Sequence, residues 1–382
     1  MKVVVAVDSF KGSLSSLEAG KAIEAGILKC CPDAEVKVRP LADGGEGTVE
    51  ALIQGMDGKL ERIKVTGPHG KPVEARYGIV RGNTAVLEMA EAAGITLLEE
   101  EEKNPYYTTT FGVGEIIKDG IQKGCRRFLV GIGGSATNDG GAGMLQALGF
   151  GLLDKEGKQI PFGARGLEKL EKITSDQVLP ELEQCEFHIA CDVENPLCGP
   201  QGCSAVYGPQ KGADSQMIKE MDKWLADYAE IAKKTFQKAD SGIPGTGAAG
   251  GLGFAFLTFT RGELKSGIQV VLEETRLEDY IKEADIVITG EGRLDGQTAM
   301  GKAPVGVAAL GKKYGKPVIA FAGGVTKEAR LCNQKGIDAY FPVLRQVCSL
   351  TEAMDPETAR KNVEDSVEQV FRLIALFAER KM

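Results

Sequence analysis

Five stretches of the chain combine glycine with charged, hydroxyl or amide side chains, and they contain most of the residues that could perform chemistry. They are Asp8–Ser13, Asp43–Thr48, Gly131–Gly141, Pro244–Gly253 and Gly290–Ala303. Glycine accounts for 50 of the 382 residues, well above its usual share of roughly 7%. Because glycine carries no Cβ, such stretches let backbone N–H groups approach a ligand closely. A small anion such as phosphate suits this arrangement.

The last of these stretches contains an incomplete Walker A motif. Residues 296–302 read G-x-x-x-x-G-K, but Ala303 occupies the position of the Ser or Thr whose hydroxyl binds Mg²⁺ in a true motif. Pro304 follows directly, where a Walker A loop would continue into its helix. The pattern therefore favours a different way of holding phosphate.

Carboxylates and cations in these loops suit phosphoryl transfer, which needs Mg²⁺, positive charge on the transferring group and a residue that orients the acceptor hydroxyl. Asp43, Asp192 and Asp295 form an acidic set, and Glu291 adds a further oxygen ligand for Mg²⁺. Arg293 can clamp a carboxylate or a phosphate with two hydrogen bonds. The chain contains only 2 histidines, which argues against a Ser-His-Asp triad.

Other kinds of site have partial support. The pattern G-x-G-x-x-A from Gly131 to Ala136 follows a predicted strand, and Asp154 lies roughly twenty residues further on, as in a dinucleotide-binding fold. A nicotinamide-dependent dehydrogenase is therefore one alternative, and a non-catalytic metabolite-binding protein is another. His188 and the cysteines that follow it lack the Cys-x-x-Cys spacing that is typical of zinc sites.

The composition excludes several classes of partner. The formal net charge is −8 and the isoelectric point is about 5.2, so neither nucleic acid nor an anionic membrane is expected as the main partner. No apolar run approaches the ~18 residues of a membrane span. The apolar run that begins the sequence stops at Asp8, which is too early for a signal peptide. A soluble cytoplasmic protein with free cysteine thiols is expected.

Strand-like and helix-like patterns alternate along the chain, which predicts an α/β fold with a mainly parallel sheet. Ligands bind such sheets at the carboxyl ends of the strands, and the glycine-rich loops fall there. The Ser15–Glu18 segment is a capping box that predicts the start of a helix. The strands predicted before candidate site residues are Lys2–Val7, Arg127–Val130, Phe187–Cys191 and Ala284–Thr289.

Seven blocks, in this order, resemble the type-I glycerate kinases: DSFKGSLSS, PLADGGEGT, GIGGSATNDGGAGM, DVENPLCGPQG, YGPQKGA, PGTGAAGGLG and TGEGRLDGQTAMGKAP. The resemblance runs from residue 3 to about residue 325 and beyond, so it covers nearly the whole chain. It is more specific than any of the short motifs. On this basis GQTAMGK is part of the family's own block and not a broken Walker A motif.

The resemblance implies a fold and an activity. The activity is ATP-dependent phosphorylation of D-glycerate with Mg²⁺ in glycerate, glyoxylate or sugar-acid catabolism, with 2-phosphoglycerate as the usual product and phosphorylation at C3 as the alternative. The fold consists of two α/β domains with the active site in the cleft. A discontinuous Rossmann-like domain is expected over residues 1–70 and 280–382, with an inserted α/β domain over residues 71–279. The expected partners are D-glycerate and ATP, and a homodimer is a candidate assembly.

Each candidate residue then receives a role as a hypothesis. Lys11 neutralises charge on the γ-phosphoryl group, Asp43 orients or deprotonates the C2 hydroxyl, and Arg293 binds the glycerate carboxylate. These three and Asp192 are the predicted catalytic residues. The predicted metal ligands are Asp192, Asp295 and Glu291. The predicted ATP-binding residues are Gly133, Gly134, Ser135, Asn138, Gly245, Gly247 and Gly250.

Overall fold

The structure is a computed structural model that describes residues 1–42, 47–56 and 58–379. The strands in this part of the chain are β1 (Lys2–Val7), β2 (Glu35–Val38), β3 (Lys59–Thr66), β4 (Pro72–Val80), β5 (Thr84–Glu88), β6 (Arg127–Gly131), β7 (Gly151–Leu153), β8 (Lys172–Thr174), β9 (Glu186–Ala190), β10 (Gly262–Lys265), β11 (Ile286–Leu294), β12 (Val318–Val325) and β13 (Ala339–Pro342).

The helices in the same part of the chain are α1 (Ser16–Cys30), α2 (Thr48–Gly55), α3 (Ala90–Ala93), α4 (Phe111–Gln122), α5 (Ala142–Ala147), α6 (Cys203–Tyr207), α7 (Ser215–Thr235), α8 (Ala248–Phe259), α9 (Gly267–Glu274), α10 (Leu277–Glu283), α11 (Ala303–Lys313), α12 (Leu331–Gln334), α13 (Leu350–Met354) and α14 (Pro356–Glu379). None of those described is long and apolar enough to cross a membrane.

The chain forms two compact units. Unit 1 consists of Met1–Asp43, Glu50–Met56 and Val271–Met382, and unit 2 consists of Gly44–Val49 and Asp57–Val270. Each unit has its own hydrophobic core. The domain limits expected from the sequence, at residues 70/71 and 279/280, stay a prediction.

Unit 1 is built on a parallel sheet with the strand order β13-β12-β11-β1-β2. The inner strand β1 pairs with β11 on one side and β2 on the other, and residues 3–7 are buried. A continuous run of small and β-branched apolar residues is what a parallel strand covered on both faces requires. The predicted strand Lys2–Val7 is confirmed.

Two helices from opposite ends of the sequence pack together in unit 1. The N-terminal end of α1 has the predicted capping box, in which the Ser15 hydroxyl accepts a hydrogen bond from Glu18 N–H and the Glu18 carboxylate accepts one from Ser15 N–H. Gly26 of α1 faces α14 so closely that a Cβ there would lie 2.5 Å from the carbonyl oxygen of Glu364. The α1–α14 contact therefore depends on a residue without a side chain.

The predicted end of one strand is wrong. The sequence predicts a strand over Ala284–Thr289 and a ligand-binding loop after it, but β11 continues to Leu294. Residues 291 and 293 pair with Ala322 and Gly324 of β12, so the backbone hydrogen bonds of the adjacent strand keep this glycine-containing segment extended. The loop begins only at Asp295.

Unit 2 contains a six-stranded mixed sheet with the order β10-β9-β6-β5-β4-β3. The first four strands of this order are mutually parallel. Strand β4 runs antiparallel to β5, and β3 runs antiparallel to β4. The last residues of the four parallel strands are in register, so that they form one row: Glu88, Gly131, Ala190 and Lys265. Loops that follow these residues leave the sheet at the same edge. The α/β fold expected from the sequence is confirmed, with one parallel and one mixed sheet.

Candidate functional site

Two buried carboxylates lie at the carboxyl end of the sheet in unit 1. Asp8 follows β1, and its N–H donates to the carbonyl of Gly290 at 2.9 Å. The pairing of Val7 with Gly290 places Asp8 level with Glu291 on the neighbouring strand. Asp8 and Glu291 are only 5% and 7% exposed. Carboxylates are rarely buried to this extent without a defined partner or ligand.

Thr298 connects two of the predicted metal ligands. Its hydroxyl donates to Glu291 Oε1 at 2.6 Å and accepts a hydrogen bond from Asp295 N–H at 3.1 Å. Asp295 Oδ1 in turn accepts from the N–H groups of Gln297, at 2.9 Å, and Thr298, at 3.2 Å. These bonds orient both carboxylates from outside the site, as outer partners of metal ligands commonly do. Sequence reasoning missed Thr298.

The predicted cations of unit 1 lie at the same end of the sheet. The Arg293 side chain is 69% exposed, and its Nε lies 3.9 Å from Asp295 Oδ2. Lys11 is exposed in the turn after β1, and its backbone N would lie 3.4 Å from a Cβ placed on Gly292. The structure therefore brings Lys11 and Arg293 to the end of the sheet that also carries Glu291 and Asp295.

The oxygen donors of unit 1 fit Mg²⁺. Mg²⁺ is usually held by one or two carboxylates together with substrate phosphates and water. Glu291, oriented by the Thr298 hydroxyl, and Asp295, oriented by the N–H groups of Gln297 and Thr298, supply two such carboxylates. Across residues 1–42, 47–56 and 58–379, no group of three or more His, Cys, Asp or Glu side chains is arranged to hold a metal ion. Bound at these two carboxylates, Mg²⁺ would take its remaining oxygens from phosphate and water.

Two other predicted catalytic residues lie elsewhere in the chain. Asp43 is outside the described residues. Asp192 belongs to unit 2, where it follows β9 and its Oδ1 accepts a hydrogen bond from Gly267 N–H at 3.0 Å. This bond satisfies the first N–H group of α9, a position at which a carboxylate also interacts favourably with the helix dipole.

The loop after β6 exposes backbone N–H groups at the carboxyl edge of the sheet in unit 2. Gly133 and Gly134 are exposed, whereas Ser135 is buried. In the described part of the chain, the N–H groups of these three residues donate to no acceptor. The loop itself is fixed, because Gly134 C=O accepts from Ile95 N–H at 2.8 Å and Ala136 N–H donates to the Ala93 carbonyl at 2.9 Å. Three N–H groups in succession on a fixed loop can bind an anion.

The side chains that follow in this loop point into unit 2. Asn138 is fully buried, and its Nδ2 donates to Ser204 Oγ at 2.8 Å. Asp139 is fully buried as well. Its carboxylate accepts from Thr110 N–H and Oγ1, both at 2.9 Å, and from Gly141 N–H at 3.1 Å, while burial raises its pKa. These two residues hold the loop in shape, and a direct contact between Asn138 and ATP stays a prediction.

The three glycines predicted in the stretch 244–253 have packing reasons for being glycine. A Cβ at Gly245 would lie 2.6 Å from Leu264 Cδ1, and one at Gly247 would lie 2.2 Å from the Pro196 carbonyl oxygen. Gly250 has φ +65°, and a Cβ there would lie 2.0 Å from the carbonyl oxygen of Thr137. The stretch therefore packs against the loop after β6. Contact between these glycines and ATP stays a prediction.

Lys211 lies in the same part of unit 2, and sequence reasoning did not select it. Its side chain is buried, with 2% of the residue exposed. The ammonium group donates to Ser135 Oγ at 2.8 Å and to the Thr137 carbonyl at 2.6 Å. Burial lowers its pKa to about 8. Its block, YGPQKGA, contributes to the family resemblance, but no feature of that block signals that the lysine is buried.

The structure weakens the dinucleotide-binding alternative. After β6 and α5, the next strand is β7, which pairs with β8 and not with the six-stranded sheet. Asp154 accepts hydrogen bonds from the N–H groups of Glu156, at 3.0 Å, and Lys158, at 2.9 Å, so it closes its own turn. An acidic residue that binds a ribose has to stand at the end of a strand of the nucleotide-binding sheet, and Asp154 does not.

Comparison with known proteins agrees with the seven sequence blocks. The profile of the glycerate kinase family matches residues 3–375. A glycerate kinase of Haemophilus influenzae is 46% identical over 376 residues, which cover 98% of this chain and 99% of that protein. A glycerate 2-kinase of Escherichia coli is 48% identical over 354 residues, which cover 92% and 93% of the two chains.

A solved structure extends the comparison to the fold. The crystal structure of a Salmonella typhimurium LT2 protein, assigned as a glycerate kinase 2, superimposes with a TM-score of 0.91 at 42% identity and covers 99% of both chains. The resemblance inferred from the sequence blocks is confirmed. The chain belongs to the glycerate kinase family.

Proposed function

We propose that the protein transfers the γ-phosphoryl group of ATP to the C2 hydroxyl of D-glycerate, giving ADP and 2-phospho-D-glycerate. The observation that carries this proposal is the 48% identity, over 92% of the chain, to a protein named glycerate 2-kinase. The sites of both units support it, because together they contain backbone N–H groups for phosphate, cations for developing charge and carboxylates for a metal ion. These are the parts that phosphoryl transfer requires.

In unit 2, the N–H groups of Gly133, Gly134 and Ser135 bind phosphate oxygens of ATP. The exposure of the two glycines and the fixed conformation of the loop support this assignment. N–H groups aimed at phosphate stabilise negative charge without rearranging during the reaction. Gly250 contributes by packing against this loop at Thr137, whereas Gly245 and Gly247 pack against Leu264 and Pro196.

In unit 1, Arg293 binds the carboxylate of D-glycerate, since its exposed guanidinium can form two parallel hydrogen bonds to a carboxylate. Lys11, on the exposed turn after β1, neutralises charge on the γ-phosphoryl group. Glu291 and Asp295 hold Mg²⁺. When bound, Mg²⁺ neutralises charge on the phosphate oxygens and positions them.

The transfer also releases a proton. The bond between the C2 oxygen and the γ-phosphorus forms while the bond from that phosphorus to the bridging β–γ oxygen breaks, and the hydroxyl proton passes to a carboxylate and then to water. Asp43 is our candidate for that carboxylate, and Asp192 is our further candidate for binding Mg²⁺. Both assignments rest on the sequence.

Glycerate-dependent release of ADP, with the product identified by NMR, tests the proposal. The protein is incubated with ATP, Mg²⁺ and D-glycerate, with L-glycerate and no glycerate as controls. We expect turnover only with D-glycerate and a product phosphorylated at C2. A product phosphorylated at C3 would overturn the proposed position of phosphorylation but not the proposed kinase activity. If the protein binds ATP but shows no turnover, D-glycerate is not its substrate.

A further inference from the structure

We propose that Lys211 is a positioning residue that holds the loop after β6 in its phosphate-binding shape and supplies the buried positive charge behind it. This inference rests on the proposed function, because ATP phosphate is taken as the ligand of that loop. It adds a residue to the reaction that neither the sequence motifs nor the comparisons assign.

The ammonium group of Lys211 lies directly against the loop. Lys211 Nζ donates to Ser135 Oγ at 2.8 Å and to the carbonyl of Thr137 at 2.6 Å. The two bonds span Ala136 and so fix both sides of the turn that follows the exposed Gly133 and Gly134. Ser135 is thereby held with its hydroxyl toward Lys211, while its N–H donates to no acceptor in the described residues.

The backbone around Lys211 holds this residue in place. The residue ends the short 3-10 turn Pro209–Lys211, and its N–H donates to the Gly208 carbonyl at 3.0 Å. Gly212 follows with φ +89°, and a Cβ there would lie 2.3 Å from the carbonyl oxygen of Lys103. This turn cannot shift without disturbing its neighbours, so the side chain is directed at the loop before any ligand arrives.

Lys211 places a positive charge in the interior of unit 2. A buried ammonium group is costly unless it is paired with an anion. Within the described residues, Lys211 forms no ion pair, and the titratable groups that act on its charge are Asp139 and Cys203. Asp139 already accepts hydrogen bonds from Thr110, Gly141 and Gly143. Burial raises the pKa of Cys203 to about 12, so it is a neutral thiol.

An anion on the exposed side of the loop would add negative charge near this ammonium group, which forms no ion pair with the described residues. Burial lowers the pKa of Lys211 to about 8, and a bound phosphate would raise it again, because a nearby negative charge favours the protonated form. ATP should therefore bind best when Lys211 is protonated. Affinity should fall as the pH rises above about 8, by a factor of about ten per pH unit until the pKa of the complex is reached.

The test measures ATP binding by titration calorimetry from about pH 7 to about pH 10, a window that follows from the lowered pKa. The proteins are the wild type, Lys211→Arg, Lys211→Met and the control Lys238→Met. Lys238 is a second lysine of unit 2 that donates to a backbone carbonyl, that of Thr260, and its pKa is also lowered by burial. The control therefore removes a similar charge away from the loop.

We expect wild-type affinity to fall with pH and Lys211→Arg affinity to stay flat, because a guanidinium remains charged throughout. Lys211→Met should lose at least about tenfold in ATP affinity at neutral pH, with the KM for D-glycerate unchanged, and Lys238→Met should follow the wild type. Wild-type affinity that is flat with pH, or the same slope in Lys211→Arg, would overturn the inference.

The outcomes separate this inference from the proposed function. If Lys211→Met does not fold, the wild-type and Lys211→Arg series decide alone, and if neither variant folds the wild-type slope decides. Binding of ATP that depends on pH as expected, without glycerate-dependent turnover, would support the role of Lys211 and overturn the substrate. Turnover of D-glycerate together with ATP affinity that does not change with pH would support the proposed substrate and overturn the role of Lys211.

Discussion

At the scale of single residues, one hydroxyl group of unit 1 connects the Glu291 carboxylate to the backbone of Asp295. Thr298 Oγ1 donates to Glu291 and accepts from the backbone of Asp295, and Thr298 itself is fully buried. Removing this hydroxyl should take one hydrogen-bond donor from the Glu291 carboxylate and one acceptor from the Asp295 N–H, while the Asp295 carboxylate keeps its bonds to the N–H groups of residues 297 and 298.

Thr298→Val conserves the shape of the side chain. We therefore expect it to raise the Mg²⁺ concentration needed for half-maximal ADP release about 10- to 100-fold. Thr298→Ser keeps the hydroxyl and should retain most of the activity. The measurement is a titration of Mg²⁺ at saturating ATP and D-glycerate. Equal Mg²⁺ curves for Thr298→Val and the wild type would show that the hydroxyl does not orient the ligands.

The residues of unit 1 could be anticipated from the sequence more readily than those of unit 2. Lys11, Arg293 and Asp295 follow predicted strands of one parallel sheet, and strand ends of such a sheet meet at one edge. Lys211 lies 76 residues beyond its partner Ser135, and no periodic pattern connects them. The sequence alone does not distinguish a lysine that becomes buried on folding from one that stays exposed.

At the scale of elements, the start of α8 shows how glycine shapes the loop after β6. Residues 249–251 all have positive φ. Gly250 C=O accepts from Gly140 N–H at 2.9 Å, and the Gly250 Cα lies against the carbonyl of Thr137. The phosphate-binding loop is therefore supported from behind by a segment that tolerates no side chain at this position.

We expect Gly250→Ala to destabilise unit 2 by more than about 2 kcal/mol, because a left-handed backbone and a steric clash act together. Gly157→Ala is the matched control, since Gly157 has φ +75° and a Cβ there would have nothing within 4 Å, and it should cost about 1 kcal/mol. Trp224, the single tryptophan of the chain, lies in unit 2, so its fluorescence during urea unfolding gives both values. Similar losses in the two variants would contradict the packing argument.

Local patterns predicted the elements whose signals are local. The Ser15 capping box and the run of residues 2–7 appear as expected because a cap and a buried strand each have a signature of a few residues. Two other features were not predicted from the sequence. The extension of β11 past Gly290 depends on β12, which follows α11 in the chain. The helix α8 was not anticipated, because its glycines carry a high intrinsic cost within a helix.

At the scale of the whole molecule, unit 1 joins the two ends of the sequence. The thiol of Cys30 donates to the carbonyl of Glu368, 338 residues away. Phe371 of α14 is fully buried in the same cluster as Val3 of β1 and Ile27 of α1. A change in α14 should therefore reach the first elements of the chain.

We expect Phe371→Ala to destabilise unit 1 by about 3–5 kcal/mol through the cavity that it leaves. Hydrogen exchange followed by mass spectrometry should show faster exchange in β1 and α1 and unchanged exchange in the core strands of unit 2. Phe377→Ala removes a ring that is 60% exposed on the same helix and should change stability by less than about 0.5 kcal/mol. Faster exchange spread equally over both units would contradict two separate cores.

The arrangement of β1 between β2 and β11 also has a consequence during synthesis of the protein. The ribosome makes β1 and β2 before unit 2, but β11, which pairs Ile286 with Val3, comes only after it. The core residues of unit 2 lie between Val65 and Phe259, so this core can close while one edge of β1 still exposes its N–H and C=O groups. An apolar strand with an open edge can pair with other chains. The nascent chain therefore carries this hazard until β11 emerges.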